Sequence, residues 1–124
     1  LTNKKSLKDL EKIIHPLVRK EIRKFSKKNK RKKFLIFEIP LLIESKLMKN
    51  YHKIILVNSR KDLRLKRYLE RGNNKKIFNL LNKRQLPSVK KLKFCDYVIN
   101  NNGSLKLLKN NIKNIITKLW TKFS

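Results

Sequence analysis

Short, almost wholly apolar runs alternate along this chain with longer segments of helical periodicity, and this alternation limits the fold more than any other feature. The runs are Phe34–Ile39, Lys53–Asn58 and the shorter Asp96–Asn100. Apolar runs bounded by basic or turn-forming residues are typical of strands that are buried on both faces of a sheet. Because helical segments separate them, we predict an α/β fold with three strands in a parallel sheet and flanking helices.

Four segments are predicted to be helices, and in the first and the last of them apolar residues three and four positions apart form one face. Pro16 interrupts the first of them, so this helix is expected either to kink or to begin again just after His15. The four segments are Ser6–Phe25, Ser59–Leu69, Lys75–Gln85 and Ser104–Lys122.

The chain is strongly basic, with 35 Lys and Arg against 8 Asp and Glu among its 124 residues and a formal net charge of +27. Such an excess favours a nucleic acid or another polyanion as a partner. The chain also has no alanine and only two glycines, a composition typical of a very AT-rich genome, in which lysine accumulates on solvated faces. The charges are spread over every segment, without an aromatic-basic RNA motif. A basic protein that binds nucleic acid through nonspecific electrostatics stays open as an alternative function.

Composition excludes several further classes of protein. Hydrophobic residues make up 40% of the chain, too many for a disordered tail and enough for a modest core. No apolar run approaches the roughly 18 residues that span a membrane, and the first residues lack the apolar stretch of a signal peptide. Cys95 is the single cysteine, which excludes an internal disulfide framework and a multi-cysteine zinc site. We expect a cytoplasmic protein with no membrane partner, and the sequence leaves its oligomeric state open.

Three local patterns are more specific than the composition. In chain order they are I-I-H-P-L-V-R at Ile13–Arg19, F-E-I-P-L-L-I-E at Phe37–Glu44, and R-Y-L-E-R at Arg67–Arg71, followed by Gln85 and by D-Y-V-I-N-N-N-G at Asp96–Gly103. Each pattern alone is weak. Their order and spacing together resemble the dephospho-coenzyme A kinases, from about Leu7 to the C-terminal helix.

This resemblance implies a P-loop kinase that transfers the γ-phosphate of ATP to the 3′-hydroxyl of dephospho-coenzyme A, the last step of coenzyme A synthesis. ATP and dephospho-coenzyme A are then the partners, and Mg²⁺ assists the transfer. By the same resemblance, residues 1–33 form a helical acceptor-binding region and residues 60–90 a mobile helical lid. Residues 34–59 and 91–124 form the α/β core, an incomplete sheet of the P-loop NTPase type.

The sequence departs from this family in one large respect, because it contains no G-x-x-x-x-G-K-[ST] phosphate loop. It also begins with Leu1 rather than Met, and we expect a fragment from the C-terminal side of a longer kinase. The missing N-terminal part is expected to supply the general base and most of the contacts to ATP and Mg²⁺. The chain alone is therefore expected to be inactive, and an inactive remnant of the kinase is a further alternative.

The missing part also bears on stability. In this family the first strand lies centrally, between the strands that correspond to Phe34–Ile39 and Lys53–Asn58. Without that strand the two lose their shared neighbour and expose sheet edges. We therefore expect the chain alone to be marginally stable or prone to aggregation.

Arg67 and Arg71 are the candidate catalytic residues. Four residues apart on one helix, they share a face, and phosphoryl transfer needs cations around its developing oxyanions while a closing lid excludes water. The resemblance implies that both are lid arginines and that Arg67 also binds ATP. The alternative is a solvated basic face. Three residues before Arg67, where the family usually has Gln, this chain has Arg64, which leaves that contact open.

The resemblance also implies two groups of binding residues. Asn101 and Gly103 match a turn near the adenine of ATP, where an amide pairs with a base edge and glycine lets the backbone approach. The alternative is an ordinary turn before a helix. His15 is expected to contact the acceptor or to be structural, rather than to act as general base. The acceptor site is further expected to be lined by the residues after the first strand, unless the leucines are core residues: Pro40, Leu41, Leu42 and Glu44. No residue of the sequence is assigned to a metal.

Overall fold

The structure, a computed structural model, describes Lys4–Phe123. It divides into two compact units, one ending at Glu38 and the other beginning at Ile39. The first unit is helical and the second contains the sheet. Within residues 4–123, no helix is both long and apolar enough to cross a membrane.

The first unit is built on one long helix, α1, at Lys4–Lys28. Pro16 lies inside it, so the expected alternative of a new helix start after His15 is wrong, although proline removes one helical hydrogen bond. The helix ends where the backbone and side-chain amides of Asn29 both donate to the carbonyl of Phe25, at 3.0 and 2.9 Å. The ring of Phe37 then meets that of Phe25 edge-on, with 5.7 Å between centroids. The chain after α1 therefore returns to pack on the end of the helix.

The strand predicted at Phe34–Ile39 is not present, so the three-strand prediction is wrong for the described residues. This segment lies outside the helices and strands, and the one sheet of the described chain has two strands. The side chain of Ile36 is 78% exposed. A run of apolar residues indicates burial, whereas a strand also needs a neighbouring backbone to bond with. No other strand of the described chain pairs with this segment.

The sheet of the second unit consists of β1, Ile55–Asn58, and β2, Tyr97–Asn100, which pair in parallel with Asn58 opposite Asn100. Asp96 fixes the beginning of both strands. Its carboxylate accepts the backbone N–H of Ile54 at 2.8 Å and forms an ion pair with Lys53 at 3.0 Å. These two interactions, the backbone hydrogen bond first, hold the pKa of Asp96 below its ordinary value.

Helices connect and cover the two strands. A short 3₁₀ turn, Met48–Asn50, precedes β1, and α5 at Leu105–Lys122 packs against β2. The hydroxyl of Ser104 caps α5 by accepting the N–H of Leu107 at 3.2 Å, as its N-terminal position predicts. Between the strands lie three more helices, which are α2 at Lys61–Glu70, α3 at Lys75–Arg84 and α4 at Ser88–Leu92. The sequence predicted all of these helices except α4, whose five residues are too few for a periodic pattern.

The core of the described residues is small. Four apolar side chains are buried among the described residues, and all belong to the second unit: Ile43, Phe78, Ile99 and Ile115. Many other large apolar side chains are exposed, among them Val57 of β1 at 61%. The sheet and its helices therefore present open apolar surface.

Candidate functional site

The polar residues of interest collect where the two strands end. Because β1 and β2 are parallel, their carboxyl ends share one edge of the sheet, the edge at which open α/β sheets bind ligands. Asn58 donates from Nδ2 to Oδ1 of Asn100 at 3.3 Å across this edge. One residue further, the N–H of Asn101 donates to the carbonyl of Asn58 at 2.7 Å. The ladder of β1 and β2 thus leads directly into the segments that carry the predicted site.

Arg67 reaches this edge from α2. Its Nη1 donates to the carbonyl oxygen of Asn101 at 2.9 Å and to the hydroxyl of Ser59 at 3.3 Å. The hydroxyl of Ser59 in turn donates to the same carbonyl at 3.1 Å. These three residues, which we call the edge cluster, join the ends of both strands to α2.

The edge cluster holds a permanent positive charge in a fixed place. A guanidinium stays protonated and carries five N–H donors in a planar fork. Arg67 uses Nη1 for the cluster, while its Nε and Nη2 make no hydrogen bond within the described chain. Arg67 is half-buried, so the charge is anchored yet still reachable by an anionic oxygen.

Arg71 stands differently. It is the C-cap residue of α2 and is exposed, and its side chain makes no hydrogen bond or ion pair to the described residues. It lies one helical turn beyond Arg67. The structure thus brings Arg67 to Asn101, whereas Arg71 has no hydrogen bond or ion pair to the described residues.

The turn after β2 is tied to the start of α2. The side-chain oxygen of Asn102 accepts the N–H of Arg60 at 2.9 Å. At Gly103 an added Cβ would come within 3.0 Å of Cδ2 of Leu107, tighter than an ordinary contact. The turn that contains Asn101 and Gly103 is therefore bonded to the residue before α2 and lies close to Leu107 of α5.

Pro40–Glu44 form a compact turn, with the N–H of Ser45 donating to the carbonyl of Leu41 at 2.9 Å. Pro40 is exposed, and Leu41 and Leu42 are half-buried. Ile43, at 7% exposed, is the residue of this turn that enters the core. The turn therefore presents Pro40 and parts of both leucines to solvent.

Glu44 is held by protein partners. One oxygen of its carboxylate, Oε1, lies 2.8 Å from Nζ of Lys91 and accepts the N–H of Leu86 at 3.0 Å. Both charged side chains are close to 12% exposed. Burial raises the pKa of Glu44, but the hydrogen bonds from Lys91 and the backbone outweigh it and bring the pKa below its ordinary value. Glu44 is thus ionised at neutral pH and links the turn to the segment that leads into α4.

His15 belongs to the other unit. It is exposed on α1 next to Pro16. In the described chain, no cluster of three or more His, Cys, Asp or Glu offers a metal site.

Three contributors to this region were not among the predicted site residues. Ser59 directly follows β1, and a polar residue at the carboxyl end of a buried strand is a signal that would have found it. Arg64 was singled out only as a departure from a pattern, yet its guanidinium bonds to Ser59 and Asn82. Lys91 carries no sequence signal, because it is one lysine among many.

The comparisons with known proteins point to one family. A family model described as dephospho-CoA kinase matches residues 1–106. The chain is 33% identical to the dephospho-CoA kinase of Aquifex aeolicus over 94% of this chain and 60% of that protein. It is 34% identical to the one from Leptospira interrogans serovar copenhageni over 97% of this chain and 58% of the relative. It thus spans about 60% of the length of these relatives.

A solved structure is similar to this chain in fold. The crystal structure of TT1252 from Thermus thermophilus is 29% identical, has a TM-score of 0.73, and is matched over 95% of this chain and 62% of that one. The match supports an α/β fold for the two parallel strands and their helices. With the family model covering most of the sequence, the chain belongs to the dephospho-CoA kinase family.

Proposed function

We propose that this chain forms the lid and base-binding side of a kinase that phosphorylates the 3′-hydroxyl of dephospho-CoA with ATP. In this proposal the lid is residues 60–90, with residues 34–59 and 91–124 as core and residues 1–33 as the acceptor region. Arg67 and Arg71 neutralise charge on the transferring phosphoryl group. Asn101 and Gly103 lie beside the adenine. In the second unit, Pro40, Leu41 and Leu42 contact the acceptor, with Glu44 holding their turn. The role proposed for His15, in the first unit, is a separate one: contact with the acceptor or a structural role.

One observation carries this proposal, namely the anchoring of Arg67 to the carbonyl of Asn101 at 2.9 Å. The contact joins α2, the helix expected to close over the phosphates, to the turn expected beside the adenine. Because the other guanidinium nitrogens stay available, a phosphate oxygen can bind Arg67 without breaking the edge cluster. A basic residue on a solvated face would not be expected to donate hydrogen bonds to residues at the ends of two strands.

The chemistry at this edge is electrostatic. In phosphoryl transfer, negative charge spreads over the equatorial and leaving oxygens, and fixed cations stabilise it. Mg²⁺ supplies further charge neutralisation when bound. The 124 residues contain no phosphate loop. We propose that the general base also lies outside them, so that the chain alone does not turn over.

The test compares the chain with a version that regains the missing parts. We define the loop fusion as the full chain joined behind a segment that carries the first strand, the G-x-x-x-x-G-K-[ST] loop and the general base of a dephospho-CoA kinase. ATP-dependent formation of CoA is expected from the loop fusion and not from the chain alone. Arg67→Ala is expected to lower kcat of the loop fusion on the order of 100-fold, and Arg71→Ala is expected to lower it as well.

Lys66→Ala is the matched control, because Lys66 is an exposed cation on the same helix. It is expected to leave kcat unchanged. Equal activity of the Arg67 and Lys66 variants would contradict the role proposed for the edge cluster. No turnover by a folded loop fusion would contradict the proposed function itself.

A further inference from the structure

Arg64 makes three contacts to two different parts of the second unit. Its Nε donates to the carbonyl of Ser59 at 3.1 Å, and its Nη1 donates to Oδ1 of Asn82 at 3.0 Å. Its guanidinium carbon lies 5.9 Å from the ring centroid of Phe78, within the range of a cation–π contact. Two nitrogens of one planar group thus serve acceptors at the end of β1 and on α3.

The packing of α3 on α2 shows how much depends on this side chain. Arg64 and Tyr68 are four residues apart on α2, as are Phe78 and Asn82 on α3, so each pair shares a face. The ring of Tyr68 lies 5.7 Å from that of Phe78. The other two contacts of this two-by-two interface both come from Arg64.

The remaining apolar residues of α3 do little to hold it. Ile77, Leu80 and Leu81 are between 42% and 50% exposed, whereas Phe78 is 6% exposed. Helix α3 therefore packs mainly through the face that carries Phe78 and Asn82. Arg64 makes two of the three contacts described for that face.

The Ser59 contact extends this effect to the edge cluster. Arg64 holds the carbonyl of Ser59, while the hydroxyl of the same residue contacts Arg67 and Asn101. One guanidinium therefore connects α3 to the residue that contacts Arg67.

We propose that Arg64 is a positioning residue that fixes α3 against α2 and, through Ser59, sets the place of the Arg67 guanidinium. A shorter or unforked side chain cannot serve Ser59 and Asn82 together. The consequence for phosphoryl transfer rests on the proposed function, whereas the link between the helices does not.

Amide hydrogen exchange on the full chain tests the link without any substrate. Arg64→Gln is expected to raise exchange in residues 75–84 by about tenfold or more, and to leave residues 105–122 protected. Arg64→Lys is expected to act in the same direction, because one ammonium cannot replace the fork. Lys66→Gln, which removes one cation from an exposed position of α2, is the matched control and is expected to change neither helix.

Asn82→Ala keeps the test decisive if Arg64→Gln unfolds the whole second unit. It removes only the acceptor on α3 and is expected to raise exchange of that helix alone. Three results would overturn the proposal: no protection of α3 in the unmodified chain, α3 protection in Arg64→Lys equal to that of the unmodified chain, or no effect of Asn82→Ala.

Turnover by the loop fusion tests the consequence for Arg67. Arg64→Lys is expected to lower kcat while KM for dephospho-CoA stays the same, and Lys66→Gln is expected to change neither. Equal kcat values for these two variants would overturn the positioning of Arg67. A loop fusion without turnover would instead count against the proposed function, and the exchange results would still decide the link between α2 and α3.

Discussion

At the scale of single residues, Glu44 gives the protein a stability that depends on pH. Its folded pKa lies below the ordinary value of 4.5, so the carboxylate stabilises the fold above that value and loses this effect as the pH falls through the folded pKa. Glu44→Gln leaves Lys91 charged, nearly buried and without its carboxylate. We expect this variant to lose about 1–3 kcal/mol at neutral pH and to match the unmodified chain in acid.

Urea unfolding at the two pH values measures this difference. Glu70→Gln is the control, because Glu70 is exposed at the end of α2 and the substitution is the same. A deficit for Glu44→Gln that persisted in acid would show that shape, rather than charge, sets the role of Glu44.

Arg67 makes a second prediction at this scale. Arg67→Lys keeps the charge but replaces the fork by one nitrogen, which cannot bond to Asn101 and a phosphate oxygen as Arg67 can. We expect kcat of the loop fusion to fall about tenfold or more. The measurement is steady-state turnover at saturating ATP. Full activity in Arg67→Lys would show that positive charge alone is required there.

The residue scale also shows how far the sequence could specify the site. The resemblance singled out Arg67 and Asn101, and the structure brings them within 2.9 Å. The resemblance did not indicate that the contact uses the backbone carbonyl of Asn101. It also did not indicate that Ser59 bridges Arg67 and Asn101. Such details depend on how α2 sits on the strand ends, which no local pattern encodes. Glu44 shows the same limit, because its partner Lys91 lies 47 positions away among many other lysines.

At the scale of elements, the reversal between α2 and α3 depends on Gly72. Its φ of +80° is a conformation that L side chains rarely adopt, and an added Cβ would meet nothing within 4 Å. Gly72→Ala is therefore expected to cost about 1 kcal/mol through backbone strain alone. Gly72→Asn is expected to cost less, because Asn tolerates the left-handed region.

Hydrogen exchange of residues 75–84 reads the effect on the helix that follows. The order expected for protection is unmodified chain, Gly72→Asn, then Gly72→Ala. Equal protection in all three would show that the turn does not limit the position of α3.

Elements also explain which parts of the fold could be predicted. Helix α5 followed from its apolar spacing and from Ser104 at its start, because both signals are local. The segment Phe34–Ile39 was wrongly predicted as a strand, since its apolar run indicates burial without specifying a neighbour to bond with. Helix α4 was missed because it is too short to show a period. Local chemistry thus predicts helices well here, while strand pairing depends on residues far apart in the chain.

At the scale of the whole molecule, the net charge of +27 predicts nonspecific attraction to polyanions. We expect an unrelated oligonucleotide to bind weakly and to be released as salt rises, because counterion release drives such binding. A salt titration followed by fluorescence anisotropy measures the slope. Tight binding at physiological salt, undiminished by CoA, would instead favour a nucleic-acid-binding function.

The open apolar surface of the sheet leads to the last prediction. Ile55 and Val57 share one face of β1 and are 37% and 61% exposed. The sheet of the described residues has two strands, which is few for independent stability. The segment added in the loop fusion brings a further strand and covers apolar area, and each Å² removed from water is worth about 25 cal/mol. We therefore expect the loop fusion to unfold cooperatively at a higher temperature than the chain alone, and to aggregate less.

Calorimetry and light scattering on both proteins measure this difference. Val57→Thr keeps the β-branched shape and makes the exposed face more polar. It therefore separates the effect of this face on aggregation from its effect on Tm. In the chain alone we expect this variant to reduce aggregation with little loss of stability, because Val57 there faces solvent. In the loop fusion we expect the same variant to lower Tm, because a strand added beside β1 places side chains next to Val57 on that face. If Val57→Thr changed Tm equally in both proteins, the added segment would leave this face of β1 uncovered. The gain in Tm would then need another origin.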